Sequence, residues 1–121
     1  MQKKMRPEDW IANQRVTVVD PNGHQRSVVI RIGKPYRLPK RGWACPIDSG
    51  ISGRHADARG SDSFQVVCLA ISLVLALVED FLERGGRLLD PKDRSEWPPG
   101  EIAAIFGWGP IKVGPLAKPP A

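Results

Sequence analysis

The sequence predicts an α+β fold: an antiparallel four-stranded meander packed on one long buried helix, with a short C-terminal helix. Three observations predict it. Residues 10–19 and 25–33 alternate apolar and polar side chains and are joined by Asp20-Pro21-Asn22-Gly23. The stretch from Ser63 to Val78 carries no charged residue, and Gly85-Gly86 follows soon after. Aromatic and aliphatic residues then return between Trp97 and Trp108. Strand periodicity early and a helix-length apolar run later point to a sheet covered by a helix.

In the first run Trp10, Ala12, Val16 and Val18 fall on one face, and Asn13, Arg15 and Thr17 on the other. Pro21 presets φ for the first central position of the turn, Asn22 suits the second, and Gly23 takes the positive φ that follows. In the second run Val28, Ile30 and Ile32 oppose Ser27, Val29 and Arg31, so the two runs predict a β-hairpin. Residues 34–42, with Pro35, Pro39 and Gly42, read as a loop. A third strand is expected over 43–49, with Trp43, Cys45 and Ile47 on one face. Pro46 has no N–H to give a ladder, which marks an edge or a bulge. Gly50 to Gly53 turns the chain, and residues 54–59 form a fourth strand with Ala56 and Ala58 facing in.

Asp62 is placed to cap the helix, Gln65 stands at the capping-box position, and Gly85-Gly86 stops it. At 100° per residue Gln65, Cys68, Ser72, Ala76, Glu79 and Glu83 make one narrow stripe, and apolar side chains cover most of the rest. Such a helix is expected to be buried on several sides, or to lie in lipid. The charge-free run is about 24 Å of helix at ~1.5 Å per residue, short of the roughly 20 residues of a bilayer span. Gln65 and Ser72 also interrupt it, so a core helix is expected and a membrane is not. A helix this apolar also suits a homodimer. Glu79, Asp80 and Glu83 sit at the end its dipole disfavours, offset in part by Arg84. Pro98-Pro99-Gly100-Glu101 opens the short second helix, and Trp97, Ile105, Phe106 and Trp108 are expected to cover a second side of the long one. The expected organisation is a flexible lead-in at 1–9, one domain at 10–108 and a Pro/Gly-rich tail at 109–121.

A net charge of +5 and a pI near 9.6 favour acidic partners in general and choose none. Cys45 and Cys68 are the two cysteines, both in apolar surroundings, and are expected as buried free thiols. The N-terminus is charged and no apolar run follows it, so a secretory signal is not expected and the cytoplasm is.

Several chemistries are testable against spacing. His24, Cys45, His55 and Cys68 lack the close pairing of zinc ligands, so neither a metal nor any other cofactor is expected. His55, Asp57, Ser61, Asp62 and Ser63 include the residue types of a triad but no nucleophile elbow. Helix capping explains Asp62 and Ser63, and an enzyme is not expected. Arg54, Arg59 and the helix N-terminus could together hold an anion. The most suggestive feature is the basic segment, where Arg31, Lys34, Arg37, Lys40 and Arg41 occur with Tyr36 and no acid, and Trp43 follows. A solvated loop explains the charges alone. With aromatic residues among them they make a contact surface for an acidic protein or for a phosphate backbone. Nucleic acid is the weaker alternative, since the one long helix is too apolar to lie in a groove.

Arg31-Ile-Gly-Lys-Pro35, Trp43-Ala-Cys-Pro46 and Gly60-Ser-Asp-Ser-Phe-Gln65 leading into Leu69-Ala70 resemble a family of small bacterial domains of unknown function. The similarity covers roughly residues 15–84. It implies a small accessory or immunity-like component and supplies no catalytic residues to carry over. The expectation is a non-enzymatic domain that binds another protein, in its most concrete form an immunity or antitoxin-like protein that neutralises a toxin by contact through the surface around residues 31–43.

Overall fold

Two antiparallel sheets share one long helix in the computed structural model, which describes residues 9–51 and 57–108. Strands β1 (Trp10–Val19), β2 (Gln25–Gly33), β3 (Tyr36–Arg37), β4 (Trp43–Cys45), β5 (Ile47–Asp48) and β6 (Ala58–Gly60) precede helix α1 (Ser63–Glu83). Strand β7 (Arg87–Leu89), a 3-10 turn at Pro99–Glu101 and α2 (Ile102–Ile105) follow it. The larger sheet has the order β5-β2-β1-β7 and the smaller β3-β4-β6. The α+β class, the four-stranded antiparallel sheet, the long helix and the short C-terminal helix are those the sequence predicts.

The connectivity departs from a simple meander in two places. Pro46 splits the expected third strand, so β4 joins the smaller sheet and β5 pairs with β2 in the larger one. The fourth strand of the larger sheet is β7, after the helix, with Leu88 opposite Val18. The expected loop over 34–42 contains β3. The expected strand at 54–59 is described only in part: Ala58 faces inward on β6, and residues 52–56 lie outside the described residues, as do the lead-in at 1–8 and the tail at 109–121.

The first hairpin forms as its turn chemistry requires. Asp20 accepts from the Gly23 N–H at 2.8 Å, and the Asn22 side chain accepts from the His24 N–H at 3.0 Å. Val16, Val18, Val28 and Ile30 then face the core. A register shift between Trp10 and Ala12 corrects the expected face of Trp10. The extra residue turns the indole to the outer face, where the Arg31 guanidinium lies 5.7 Å from the ring centroid. Arg26 fastens this hairpin to the segment after β5. Its side chain holds the Asp20 carboxylate at 3.1 Å and donates to the carbonyls of Gly50 at 2.8 Å and Ile51 at 2.6 Å.

Both ends of α1 are built from local sequence. The Asp62 carboxylate accepts from the Gln65 N–H at 2.8 Å, and Gln65 Oε1 accepts from the Ser61 N–H at 2.6 Å. At the other end Gly85, at φ +97°, donates to Leu82 at 3.0 Å while Gly86 donates to Phe81 at 2.9 Å. Those two bonds are the Schellman pattern, and the positive φ is why glycine stands there.

The helix is not buried on several sides. Val66, Ala70, Val74, Val78 and Phe81, at spacings of three and four, form the single buried stripe. Val66 and Ala70 pack with Cys45 and Ile47 beneath the smaller sheet. Val74, Val78 and Phe81 pack with Val16, Val18, Val28, Ile30 and Leu88 under the larger. The sheets lie on one side of α1, so a stripe of that width is all they can cover. The C-terminal segment adds Trp97, Phe106 and Trp108 to the larger core, with Phe106 stacked on Trp108 at 4.6 Å. Ile105, expected in that cover, is 37% exposed. Ile102 takes the buried place instead, one turn earlier on α2.

Candidate partner-binding surface

The basic segment of the sequence folds largely into one small hairpin. Leu38 N–H donates to the Gly42 carbonyl at 3.0 Å and closes the β3–β4 turn. Gly42 has φ +93°, and a Cβ there would stand 2.9 Å from the Gly60 carbonyl oxygen, so this corner has no room for a side chain. Lys40 and Arg41 are therefore held at an exposed tip.

Register decides which face each side chain takes. Arg37 pairs with Trp43 and Tyr36 with Ala44. Ala44 in turn pairs with Arg59. Successive residues of a strand point to opposite faces. Arg37 and Trp43 thus share the face toward α1, where Trp43 packs against the cluster of Cys45, Ile47, Val66 and Ala70. The Arg37 guanidinium lies 5.7 Å from the Trp43 ring centroid, within cation–π range. Tyr36 and Arg59 share the opposite, outward face.

Tyr36 donates its hydroxyl to Asp57 Oδ2 at 2.5 Å. That bond is the main reason its phenol is pushed up to about 12; partial burial and the Asp57 charge add to it, and Arg59 opposes it. Tyr36 is the one tyrosine in the chain, so tyrosinate absorbance reports this group alone. The expected titration midpoint of the folded protein is well above the ordinary 10.0, near 12. Asp57→Ala is expected to bring it down toward 10.0. Because the folded value is the raised one, the stabilisation is complete below pH 10.0 and is lost as pH climbs from there to about 12. A midpoint unmoved by Asp57→Ala would show that the hydroxyl–carboxylate bond does not hold the tyrosine.

Of the residues singled out in the sequence, Tyr36, Arg37, Lys40, Arg41 and Trp43 come together on this hairpin. Lys34 is exposed on the approach to it, with its backbone N–H on the Asp9 carbonyl at 2.8 Å. Arg31 belongs to the larger sheet, opposite Asp48 in register and over Trp10. Sequence proximity did not place Arg59 with Tyr36. The signal for it is the alternation Asp57, Ala58, Arg59, with the small residue inward.

His55 and Arg54 lie outside the described residues. Asp57 is engaged by Tyr36, and Asp62 by the Gln65 N–H. Among the described residues no group of three or more His, Cys, Asp or Glu is placed to hold a metal. Cys45 and Cys68 are both free thiols, and only Cys45 is buried. Burial, with a smaller contribution from the Asp57 charge, pushes the Cys45 thiol up to about 11. Cys68 is exposed, which corrects the expectation of two buried thiols: it stands on the side of α1 away from the sheets. Comparison with protein-family models, with curated proteins and with solved structures finds no match to this chain.

Proposed function

We propose that this protein is a non-enzymatic cytoplasmic binding domain whose β3–β4 hairpin takes an acidic surface of a partner protein. An immunity or antitoxin-like protein that covers a toxin's site is the most concrete form of that role. The observation that carries the reading is the hairpin itself. It holds an exposed basic tip, Lys40 and Arg41, beside the cation–π pair Arg37 and Trp43, and α1 backs it. Arginine and tryptophan are the side chains on which interface affinity concentrates, and here both are placed before a partner arrives. A rigid contact loses little conformational freedom on binding. Tyr36 and Arg59 extend the surface to the outer face of the smaller sheet.

The test is reversal of the charges, Lys34→Glu, Arg37→Glu, Lys40→Glu and Arg41→Glu in one variant. All four residues are exposed, so the circular dichroism of the variant is expected to match the parent. Affinity for the protein retained on immobilised parent chain is expected to fall by about 100-fold or more, which is roughly 2.8 kcal/mol at ~1.4 kcal/mol per tenfold and more than one hot-spot contact supplies at its threshold of about 2 kcal/mol. Undiminished retention removes this surface. A labelled DNA duplex in the same assay separates the alternative. Phosphate binding would weaken steeply and log-linearly with salt, and no such binding is expected.

A further inference from the structure

The first half of β1 has a neighbouring strand on one side only. The Asp20 N–H donates to the His24 carbonyl at 2.8 Å, and the bonded pairs of an antiparallel ladder recur at every second residue. Val18, Val16, Gln14 and Ala12 therefore bond with β2, while Val19, Thr17, Arg15 and Asn13 turn their N–H and C=O groups to the other edge. β7 meets that edge only over residues 17–19. Among the described residues no strand lies beside Asn13 and Arg15. Such edge groups are a template for one more extended segment.

Beneath this edge, on the core face of the sheet, lies a cleft of about 310 Å³. Ala12 and Gln14 of β1, Ile32 of β2, Ile71 and Val74 of α1, and Trp108 line it, and none of its described lining residues is charged. An occupant that suits both features is an extended segment with apolar side chains on one face. The chain leaves the described residues at Trp108, on the wall of the cleft, and continues as Gly109-Pro110-Ile111-Lys112-Val113-Gly114-Pro115. Ile111 is three residues beyond Trp108, a reach of about 10 Å at ~3.3–3.6 Å per residue. Ile111 and Val113 alternate with Lys112, the period of a strand, and a proline bounds the run on each side. Strands this short already occur in the chain, since β3 and β5 have two residues each. We infer that residues 111–113 add to the open edge of β1 as a fifth strand of the larger sheet, with Ile111 and Val113 seated in the cleft. Lys112 then stands beside Asn13 on the outer face, and its backbone N–H and C=O meet those of Asn13. Setting Lys112 beside Arg15 instead would bring two cations together. Pro110 has no N–H to donate, so the ladder extends no further toward Trp108.

Amide hydrogen exchange of the full chain, read residue by residue by NMR, tests the pairing. The Asn13 N–H is expected to be protected in the parent. Ile111→Asp with Val113→Asp puts carboxylates against the apolar cleft and is expected to speed Asn13 exchange by about tenfold or more. The Val16 and Val18 amides, which bond with β2, are expected to keep their parent rates, and circular dichroism is expected to be unchanged. A crosslink gives a second reading that does not depend on the aspartate variant keeping its structure. In a Cys68→Ser background, Asn13→Cys with Lys112→Cys is expected to oxidise to an intramolecular disulfide. Gln14→Cys with Lys112→Cys puts the two thiols on opposite faces and is expected not to. An Asn13 amide that exchanges as freely in the parent as in the double-aspartate variant overturns the inference, as does crosslinking through Gln14→Cys that equals or outpaces crosslinking through Asn13→Cys.

Discussion

Val74→Asp is expected to leave the chain unfolded, while Ser72→Glu, on the same turn of α1, is expected to change monomer stability by less than about 0.5 kcal/mol. Val74 is 3% exposed and packs in the larger core with Val16, Val28 and Ile30. A carboxylate there would have no cation and no donor among those aliphatic neighbours. Its ionised form would lose several kcal/mol of hydration, and its neutral form would still bury an unsatisfied acid in a space shaped for two methyl groups. A domain of this size has roughly 5–15 kcal/mol of stability to lose. Ser72 is exposed, and a glutamate there keeps its water. Far-ultraviolet circular dichroism and urea titration of the two variants check the pair. Equal destabilisation would mean that α1 is covered on both sides.

Leu88→Ala is expected to cost about 3 kcal/mol, within the usual range for a buried leucine, and to lower Tm by roughly 12–24 °C at about 4–8 °C per kcal/mol. Leu88 is fully buried, on a strand of three residues that pairs with β1 only over residues 17–19. Its side chain reaches the same core as Val18, Val78 and Phe81. The backbone around it is fixed by the glycine stop of α1 on one side and by the Trp97 N–H, which donates to the Leu88 carbonyl at 2.9 Å, on the other. Neighbouring groups therefore have little freedom to collapse into the space that alanine leaves, which places the cost above the minimum for lost transfer energy. Calorimetry measures it directly, and a loss under about 1 kcal/mol would remove β7 from the core.

The parts of this fold that were legible in the sequence are those set by local chemistry. The turn at residues 20–23, the alternation of β2, the Asp62 and Gln65 cap and the glycine stop all appear where spacing puts them, because each needs only residues near in the chain. β7 was not legible as a sheet strand, since three residues carry no periodicity. The change of sheet at Pro46 shows only as a missing donor, which says that a ladder breaks and not where the next one forms. The bulge beside Trp10 reverses one side chain and leaves no local mark.

The burial of α1 differs from the expected one for a definite reason. When apolar residues cover most of a helix's circumference, hydrophobicity cannot say which stripe the core uses. The stripe of Cys68, Ser72 and Ala76 was visible, and the structure shows it facing outward. At the candidate surface the residue types were legible and the grouping was partly so. Tyr36 and Arg37 are adjacent in sequence yet point to opposite faces, while Arg59 arrives beside Tyr36 from a strand the basic segment does not include.

The most direct measurement uses the two thiols. Cys45 lies under the smaller sheet on the packed side of α1, and Cys68 lies on its far side. Mass spectrometry after a short alkylation pulse on folded protein, at concentrations well below 1 μM where copies are apart, is expected to find one adduct, on Cys68. Cys45 is expected to react only once the chain is unfolded in denaturant. Rapid labelling of both thiols, or protection of both in dilute folded protein, would contradict a helix that meets its sheets along one stripe and leaves the other open.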